Sequence, residues 1–202
     1  MIDMEKKEFT QEQRSEMQDL VRRFLEIVDP NPDRPGLIET PKRVVKYWTE
    51  LLEGQLYSND EIADMFDKTF MDVQTHDLVI EKNIEIFSHC EHHLALMYDM
   101  NVTIAYIPKD RVIALSKMAR IAEMVGKRLQ LQEKIGVDIN YIMRRVLKTD
   151  DVAVLITGKH GCMTARGIKS RNAVTRTAAL NGRFLTDASL RNEVYQLCKI
   201  DK

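Results

Sequence analysis

Two short segments rich in cysteine and histidine constrain this chain more than any other feature. The first is Ser88-His-Cys-Glu-His-His93 and the second is Lys159-His-Gly-Cys162; together they hold four of the five histidines and two of the three cysteines. Thiolate and neutral imidazole are ligands that zinc prefers in proteins. If both segments bind one ion, the fold must bring together two parts of the chain that lie far apart in sequence.

The number of ligands separates a catalytic zinc site from a structural one. Cys90, His93 and Cys162 would supply three ligands and leave a fourth position for water, as catalytic sites do. His92 and His160 would then lie nearby as proton donors or acceptors. The alternative is a closed structural site in which two cysteines and two histidines bind the ion. The spacing favours the catalytic site, and the structural site remains as an alternative.

The remaining histidines and the third cysteine are assigned no chemical role. His89 would face away from Cys90 on a strand, His76 is expected in a surface loop, and Cys198 is expected to be an unreactive thiol. An odd number of cysteines argues against a disulfide framework and predicts a reducing compartment. The polar N-terminus and the short apolar runs predict a cytoplasmic protein without a membrane partner.

The hydrophobic pattern predicts a single α+β unit. A chain of 202 residues can bury one sizeable core. Apolar residues recur at helical spacing in some stretches and at every second position in others. Helices are predicted over 10–28, 40–54, 60–66, 118–129, 131–147 and 188–198, and strands over 78–86, 102–106, 112–115, 152–158 and 172–180.

The first long strand is predicted to have one buried and one wet face. Leu78, Ile80, Ile84 and Ile86 all occupy even positions, with Glu81 between them. Strict alternation of this kind is typical of a strand with one face against the core.

Basic residues suggest an anionic ligand in two places. Ser116 is a plausible N-cap, and Lys117 and Arg120 follow in the first helical turn, an arrangement suited to phosphate. Residues 152–186 contain no Asp or Glu but several Lys and Arg. Ordinary solvated charges explain the first feature equally simply, and a subunit interface explains the second. Glu133, near the start of the next helix, could accept hydrogen bonds from a guanine edge.

Several segments, in order along the chain, closely resemble the GTP cyclohydrolase I family and cover roughly residues 35–185. The matching segments are Glu39-Thr-Pro-Lys-Arg43, Ser88-His-Cys-Glu-His-His93, Ala105-Tyr-Ile-Pro108, Leu115-Ser-Lys117, Arg128-Leu-Gln-Leu-Gln-Glu133 and His160-Gly-Cys-Met-Thr-Ala-Arg-Gly167. The resemblance implies the tunnelling fold, an α+β unit with an antiparallel sheet, a helix pair on one side and an N-terminal helical extension. It divides the chain into a helical region, 1–68, and a catalytic region, 69–202. It also implies a homodecamer with active sites at subunit interfaces.

The resemblance further implies zinc-dependent hydrolysis of GTP to 7,8-dihydroneopterin 3'-triphosphate and formate. In this reaction water adds to C8 of guanine, formate is released, and the ribose is opened and rearranged. The residues to which the family gives roles are Cys90, His93 and Cys162 as zinc ligands, His92 and His160 as the acid–base pair, Glu133 with Gln132 at the guanine, and Ser116, Lys117, Arg120, Arg166 and Arg43 at the ribose and triphosphate.

The chain departs from the family pattern at two points. Family members often carry glycine in the turn after the paired histidines, where this chain reads Met97-Tyr-Asp-Met-Asn101, and again at the position of Ala114. Neither change removes a group with a chemical role, so only local backbone geometry is in question.

Three other functions remain as alternatives. A nitrile reductase of the same fold would use a cysteine nucleophile and lack the paired zinc ligands, and a related pterin synthase would bind zinc through three histidines. A zinc module that binds nucleic acid through 152–186 would need aromatic side chains among the basic ones, and Phe184 is the sole aromatic residue there. We therefore expect no nucleic-acid partner.

Overall fold

The computed structural model describes residues 6–71 and 76–198. Strands β1 to β7 span Thr69–Met71, Val79–Cys90, Leu96–Tyr106, Arg111–Ile113, Leu129–Gln130, Val152–His160 and Thr175–Leu180. Helices α1 to α8 span Gln11–Val28, Thr40–Leu51, Asn59–Met65, Leu115–Gly126, Gln132–Leu147, Gly161–Thr164, Arg183–Thr186 and Ala188–Leu197. No helix in these two ranges is long and apolar enough to cross a bilayer.

The main sheet has the order β5-β2-β3-β6-β7 and is antiparallel except for the short pairing of β5 with β2. One face packs against the helix pair α4 and α5, forming what we call the helix-pair core. The other face packs against α7 and α8 in a smaller core that includes Phe184, Leu190 and Val194. The α+β class and the helix pair on one side of the sheet are thus confirmed.

The prediction of one continuous buried face on β2 is wrong, because a bulge interrupts the strand. The pairing with β3 shifts by one residue between Glu81 and Ile84, where Asn83 adopts a left-handed φ of 64°. One extra residue moves all later side chains to the other face. Ile84 therefore lies in the helix-pair core, whereas Ile80 packs in the smaller core on the opposite face.

The same bulge turns Glu81 towards the helix-pair side of the sheet. Glu81 pairs with Ile104, and Ile84 pairs with the residue two positions earlier on the same strand, so both side chains face the same way. One carboxylate oxygen of Glu81 is buried and has no hydrogen-bond partner among the described residues. Burial raises the pKa of this carboxyl group, because the charged form loses solvation.

The departure at Met97-Tyr-Asp-Met-Asn101 is a bulge within β3, not the turn that the sequence predicts. Asp99 has a φ of 50°, and the pairing of β3 shifts here against both β2 and β6. Aspartate tolerates this left-handed conformation better than most residues other than glycine. Its carboxylate lies 2.9 Å from the Lys159 ammonium on β6, an ion pair that stabilises the bulge.

A buried arginine connects the N-terminal helical region to helix α5. Arg128 donates hydrogen bonds to the carbonyls of Gly54 and Tyr57 and to the Asn59 side chain, and forms a 3.1 Å ion pair with Asp138 on α5. Arg128 and Asp138 are 9% and 4% exposed. These contacts join residues on both sides of position 68. The division into 1–68 and 69–202 stays a prediction.

We expect Arg128→Met to lower the free energy of unfolding by about 3 kcal/mol, since it leaves the buried Asp138 carboxylate without its arginine partner. Chemical denaturation monitored by circular dichroism would measure the change. Arg145→Met is the matched control, because Arg145 also joins α5 to α3, through Asp60 and Asp64, but all three side chains are exposed. Equal losses for the two variants would contradict the role assigned to Arg128.

We expect Glu81→Gln to stabilise the protein at pH 7 and to lose this advantage as the pH falls. The raised pKa of Glu81 means that its ionised form is disfavoured in the folded state. Its penalty is therefore present above the raised pKa and disappears once the carboxyl is protonated in both states. Denaturation midpoints of the two proteins between pH 4 and 8 would test this. An advantage that grew at low pH would show that the sign is wrong.

Candidate metal centre and active site

The first two candidate ligands lie where β2 turns into β3. Cys90 is the last residue of β2, and its backbone exchanges hydrogen bonds with Leu94 and Ala95 across a tight turn. Leu94 adopts a left-handed φ of 52°, which closes the turn. His93 lies within this turn and is exposed, while the Cys90 side chain is buried at the edge of the helix-pair core.

The third candidate ligand arrives from the other neighbour of β3. His160 ends β6 opposite Met97 of β3, and the short helix α6 follows directly with Cys162 in its single turn. Gly161 permits this approach, since a Cβ atom there would lie 2.9 Å from the Leu96 carbonyl oxygen. The hydrogen bond between Tyr98 and Thr164, 3.0 Å long, holds α6 against β3.

The sequence-predicted metal ligands come together in the structure. The ligand atoms of Cys90, His93 and Cys162 all lie within 4.8 Å of one another, so these residues could hold a metal ion. Burial, and next the neighbouring Cys90 thiol, raise the pKa of the Cys162 thiol, whereas Arg166 acts in the opposite direction. Two sulfur atoms and one imidazole match the ligand set of a borderline-soft ion.

His160 lies outside this ligand group and is held by Gln132, whose side chain is 1% exposed. The Gln132 amide nitrogen donates to the carbonyls of Ile156 and Thr175, so its Oε1 must accept the 2.9 Å hydrogen bond from His160. The Nε2 atom of His160 therefore carries a proton, and in the neutral ring Nδ1 is the free acceptor. Burial lowers the pKa of His160, opposed by the carboxylate of Glu133.

His92 and Arg166 lie on either side of His93. The His92 ring meets the His93 ring edge to face, with centroids 6.4 Å apart. The Arg166 guanidinium, two residues beyond the end of α6, contacts the Nε2 atom of His93 at 2.9 Å. Both His92 and Arg166 are exposed. An imidazole and a cation thus border the candidate ligands, and the acid–base role of His92 stays a prediction.

The predicted N-cap at Ser116 is wrong, because α4 begins two residues earlier than that prediction requires. Ala114 occupies the N-cap position, without a side-chain hydrogen bond, and Leu115 is the first helical residue. Ser116 and Arg120 are exposed in the first turns, whereas the Lys117 ammonium lies 5.3 Å from the centre of the Phe66 ring. In the first turn of α4 the Lys117 N–H donates to the Ala114 carbonyl. The start of a helix generally leaves further N–H groups without an intrahelical partner, as a phosphate site requires.

The other predicted substrate residues lie on α5 and α2. Glu133 is exposed in the first turn of α5, next to the buried Gln132. Arg43 is exposed on α2. In the described part of the chain, no side-chain hydrogen bond or ion pair links Arg43, Ser116 or Arg120 to the ligand group. Substrate contacts of these residues, and of Gln132, stay predictions.

The residues without an assigned role are placed much as expected. His89 is buried, where its pKa is lowered, and its Nε2 lies 3.4 Å from the Tyr47 hydroxyl of α2. His76 is exposed, and burial raises the pKa of the Cys198 thiol at the end of α8. The contact of Tyr47 with His89 had no signal in the sequence, because spacing cannot connect residues on separate elements.

We expect one tightly bound metal ion per chain, lost in Cys162→Ser and kept in Cys198→Ser. The first variant removes one of three converging ligands, whereas Cys198 lies outside the ligand group. Metal analysis of dialysed protein by mass spectrometry would provide the stoichiometry. Equal metal content in the two variants would contradict the assignment of the site.

Comparison with known proteins places this geometry in a family. The model of the GTP cyclohydrolase I family matches residues 17–199. A protein of Clostridium botulinum (strain Loch Maree / Type A3) named GTP cyclohydrolase 1 is 55% identical over 182 residues, covering 88% of this chain and 93% of the relative. Proteins with the same name from Clostridium acetobutylicum and Clostridium beijerinckii are 54% and 50% identical, covering 89% and 91% of this chain and 94% and 95% of the relatives.

The match includes both cysteine- and histidine-containing segments, the helix pair and all five strands of the main sheet. It extends over nearly the whole chain and nearly the whole of each relative. The chain belongs to the GTP cyclohydrolase I family.

Proposed function

We propose that this protein hydrolyses GTP to 7,8-dihydroneopterin 3'-triphosphate and formate in a zinc-dependent reaction, the first step of pterin formation. The observation that carries the proposal is the convergence of Cys90, His93 and Cys162 beside two further histidines. A relative that is 55% identical over 182 residues carries the name GTP cyclohydrolase 1, which supports the proposal.

Zinc is the proposed metal because two thiolates and an imidazole suit it better than an oxygen-seeking ion. Bound zinc would lower the pKa of a water molecule, so that hydroxide is available near neutral pH. His160 lies outside the group of three ligands, and its Nε2 is engaged by Gln132. This arrangement favours an open catalytic site over the closed structural one.

His160 and His92 are the proposed proton carriers. Gln132 holds the Nε2 proton of His160, which leaves Nδ1 as the atom that exchanges protons with the substrate. We assign His160 Nδ1 to accept a proton from the water that adds to C8 of the guanine and to deliver this proton to N7. His92 is exposed beside His93 and would assist opening of the ribose.

Charged side chains around the centre are the proposed substrate contacts. The Glu133 carboxylate would accept hydrogen bonds from the guanine amino and ring N–H groups, with Gln132 beside it fixing His160. Phosphate groups would contact the first turn of α4, where backbone N–H groups and cations coincide. The residues proposed for the ribose and triphosphate are Ser116, Lys117, Arg120, Arg166 and Arg43.

We propose a homodecamer with active sites between subunits, located in the cytoplasm, where free thiols persist. Large apolar side chains remain exposed on the first two helices, and β7 forms an open edge of the sheet. The exposed apolar residues of α1 and α2 are Leu20, Phe24, Ile27, Val28, Tyr47 and Trp48. Light scattering coupled to size exclusion would measure the assembly, and a fully active monomer would contradict shared active sites.

We expect purified zinc-loaded protein to release formate from GTP and to yield a pterin that fluoresces after oxidation. His160→Asn should lower the rate at least about 100-fold, because general acid–base catalysis contributes this much or more. His76→Asn is the matched control, since the exposed His76 contacts the Pro108 carbonyl and lies outside the ligand group. Formate assay and fluorescence would measure both products.

The absence of both products from a folded, zinc-loaded oligomer would overturn the proposal. It would favour a structural zinc site, with the basic stretch 152–186 as a surface for another anionic partner.

A further inference from the structure

The contact between Arg166 and His93 has a consequence for metal binding. A guanidinium group has only donors, so the 2.9 Å contact requires the Nε2 atom of His93 to accept through its lone pair. Arg166, which contacts this candidate metal ligand, is also one of the residues proposed to bind the triphosphate. In the described part of the chain no carboxylate pairs with Arg166, so the imidazole is its polar partner.

A metal ion at His93 is incompatible with this hydrogen bond. A neutral imidazole ligand gives one nitrogen lone pair to the metal and carries a proton on the other nitrogen. If Nε2 binds the metal, the lone pair that Arg166 uses is taken. If Nδ1 binds the metal, Nε2 carries an N–H group that faces the N–H groups of Arg166. Either ligand atom excludes the hydrogen bond.

We propose that metal binding at Cys90, His93 and Cys162 releases Arg166 from His93 and makes its guanidinium available to a phosphate group of the substrate. Metal loading and phosphate binding are then coupled, and each tightens the other. The inference rests on the proposed function in one respect, that the substrate carries phosphate.

The charge distribution explains why a released Arg166 would bind an anion. No Asp or Glu occurs between Val152 and Thr186, so the residues next to Arg166 in sequence carry no carboxylate. Two thiolates offset the charge of a divalent ion, so the loaded centre itself does not gain a net positive charge. The attraction of phosphate therefore falls to the freed arginine, whose planar donors suit phosphate oxygens.

The test compares binding of inorganic triphosphate to metal-stripped and zinc-loaded protein by calorimetry, with free zinc removed because triphosphate chelates it. In the wild type we expect zinc loading to lower the Kd about five- to tenfold, the low end of typical coupling, since Arg166 is exposed. Arg166→Met should bind triphosphate with the same affinity in both states, and this affinity should be weaker than that of the zinc-loaded wild type. Arg171→Met, which removes another exposed cation of the same segment, should keep the wild-type ratio.

Two results would overturn the inference. Equal affinities of the wild type in both states would mean that the arginine is not released, and zinc dependence that persists in Arg166→Met would mean that triphosphate contacts the metal directly. The reciprocal experiment starts from loaded protein and measures the equilibrium distribution of zinc between the protein and a chelator. Triphosphate should raise the apparent zinc affinity of the protein by the same factor, in the wild type and in Arg171→Met but not in Arg166→Met. This readout applies even if the stripped protein unfolds.

The coupling and the proposed reaction can fail separately. Zinc-dependent triphosphate binding without any product from GTP would retain the coupling and reject the cyclohydrolase function. Turnover of GTP with a zinc-independent affinity for triphosphate would do the reverse.

Discussion

The pairing of β3 with a neighbour on each side is the constraint on which the candidate site depends. β2 delivers Cys90 and the turn with His93 to one side, and β6 delivers His160 and Cys162 to the other. The bulge at Asp99 sets the register of β3 against both partners. A shift of one residue would reverse the faces of all side chains beyond it and separate the ligands.

Helix α5 links the stability of the fold to the geometry of the site. Its first turn holds His160 through Gln132, and further along it carries Asp138, the buried partner of Arg128. Arg128 in turn binds the carbonyls that lead into α3. The N-terminal helices therefore stabilise the helix that orients the proposed acid–base residue, although they contribute no candidate metal ligand.

The long helices and the candidate metal ligands could be predicted from the sequence, because both depend on local patterns. Helical spacing gives α4 and α5, and the paired Cys and His residues point to the three side chains that converge as candidate ligands. The bulge at Asn83 was missed because the alternation of apolar residues continues through it in the sequence, and the bulge at Asp99 lies where the sequence predicts a turn. The hydrogen bonds of Gln132 and Arg128 were also missed, because their partners lie on distant elements and a polar side chain at a helix start gives no sign of burial.

The proposed reaction requires that three protein ligands leave one position open at the metal. X-ray absorption spectroscopy of the zinc-loaded protein tests this directly, by comparing the wild type with His160→Ala. We predict two sulfur ligands at about 2.3 Å, one imidazole and one light atom from water, with the same spectrum in both proteins. Two imidazole ligands in the wild type, one of them lost in His160→Ala, would establish a closed structural site and contradict the account.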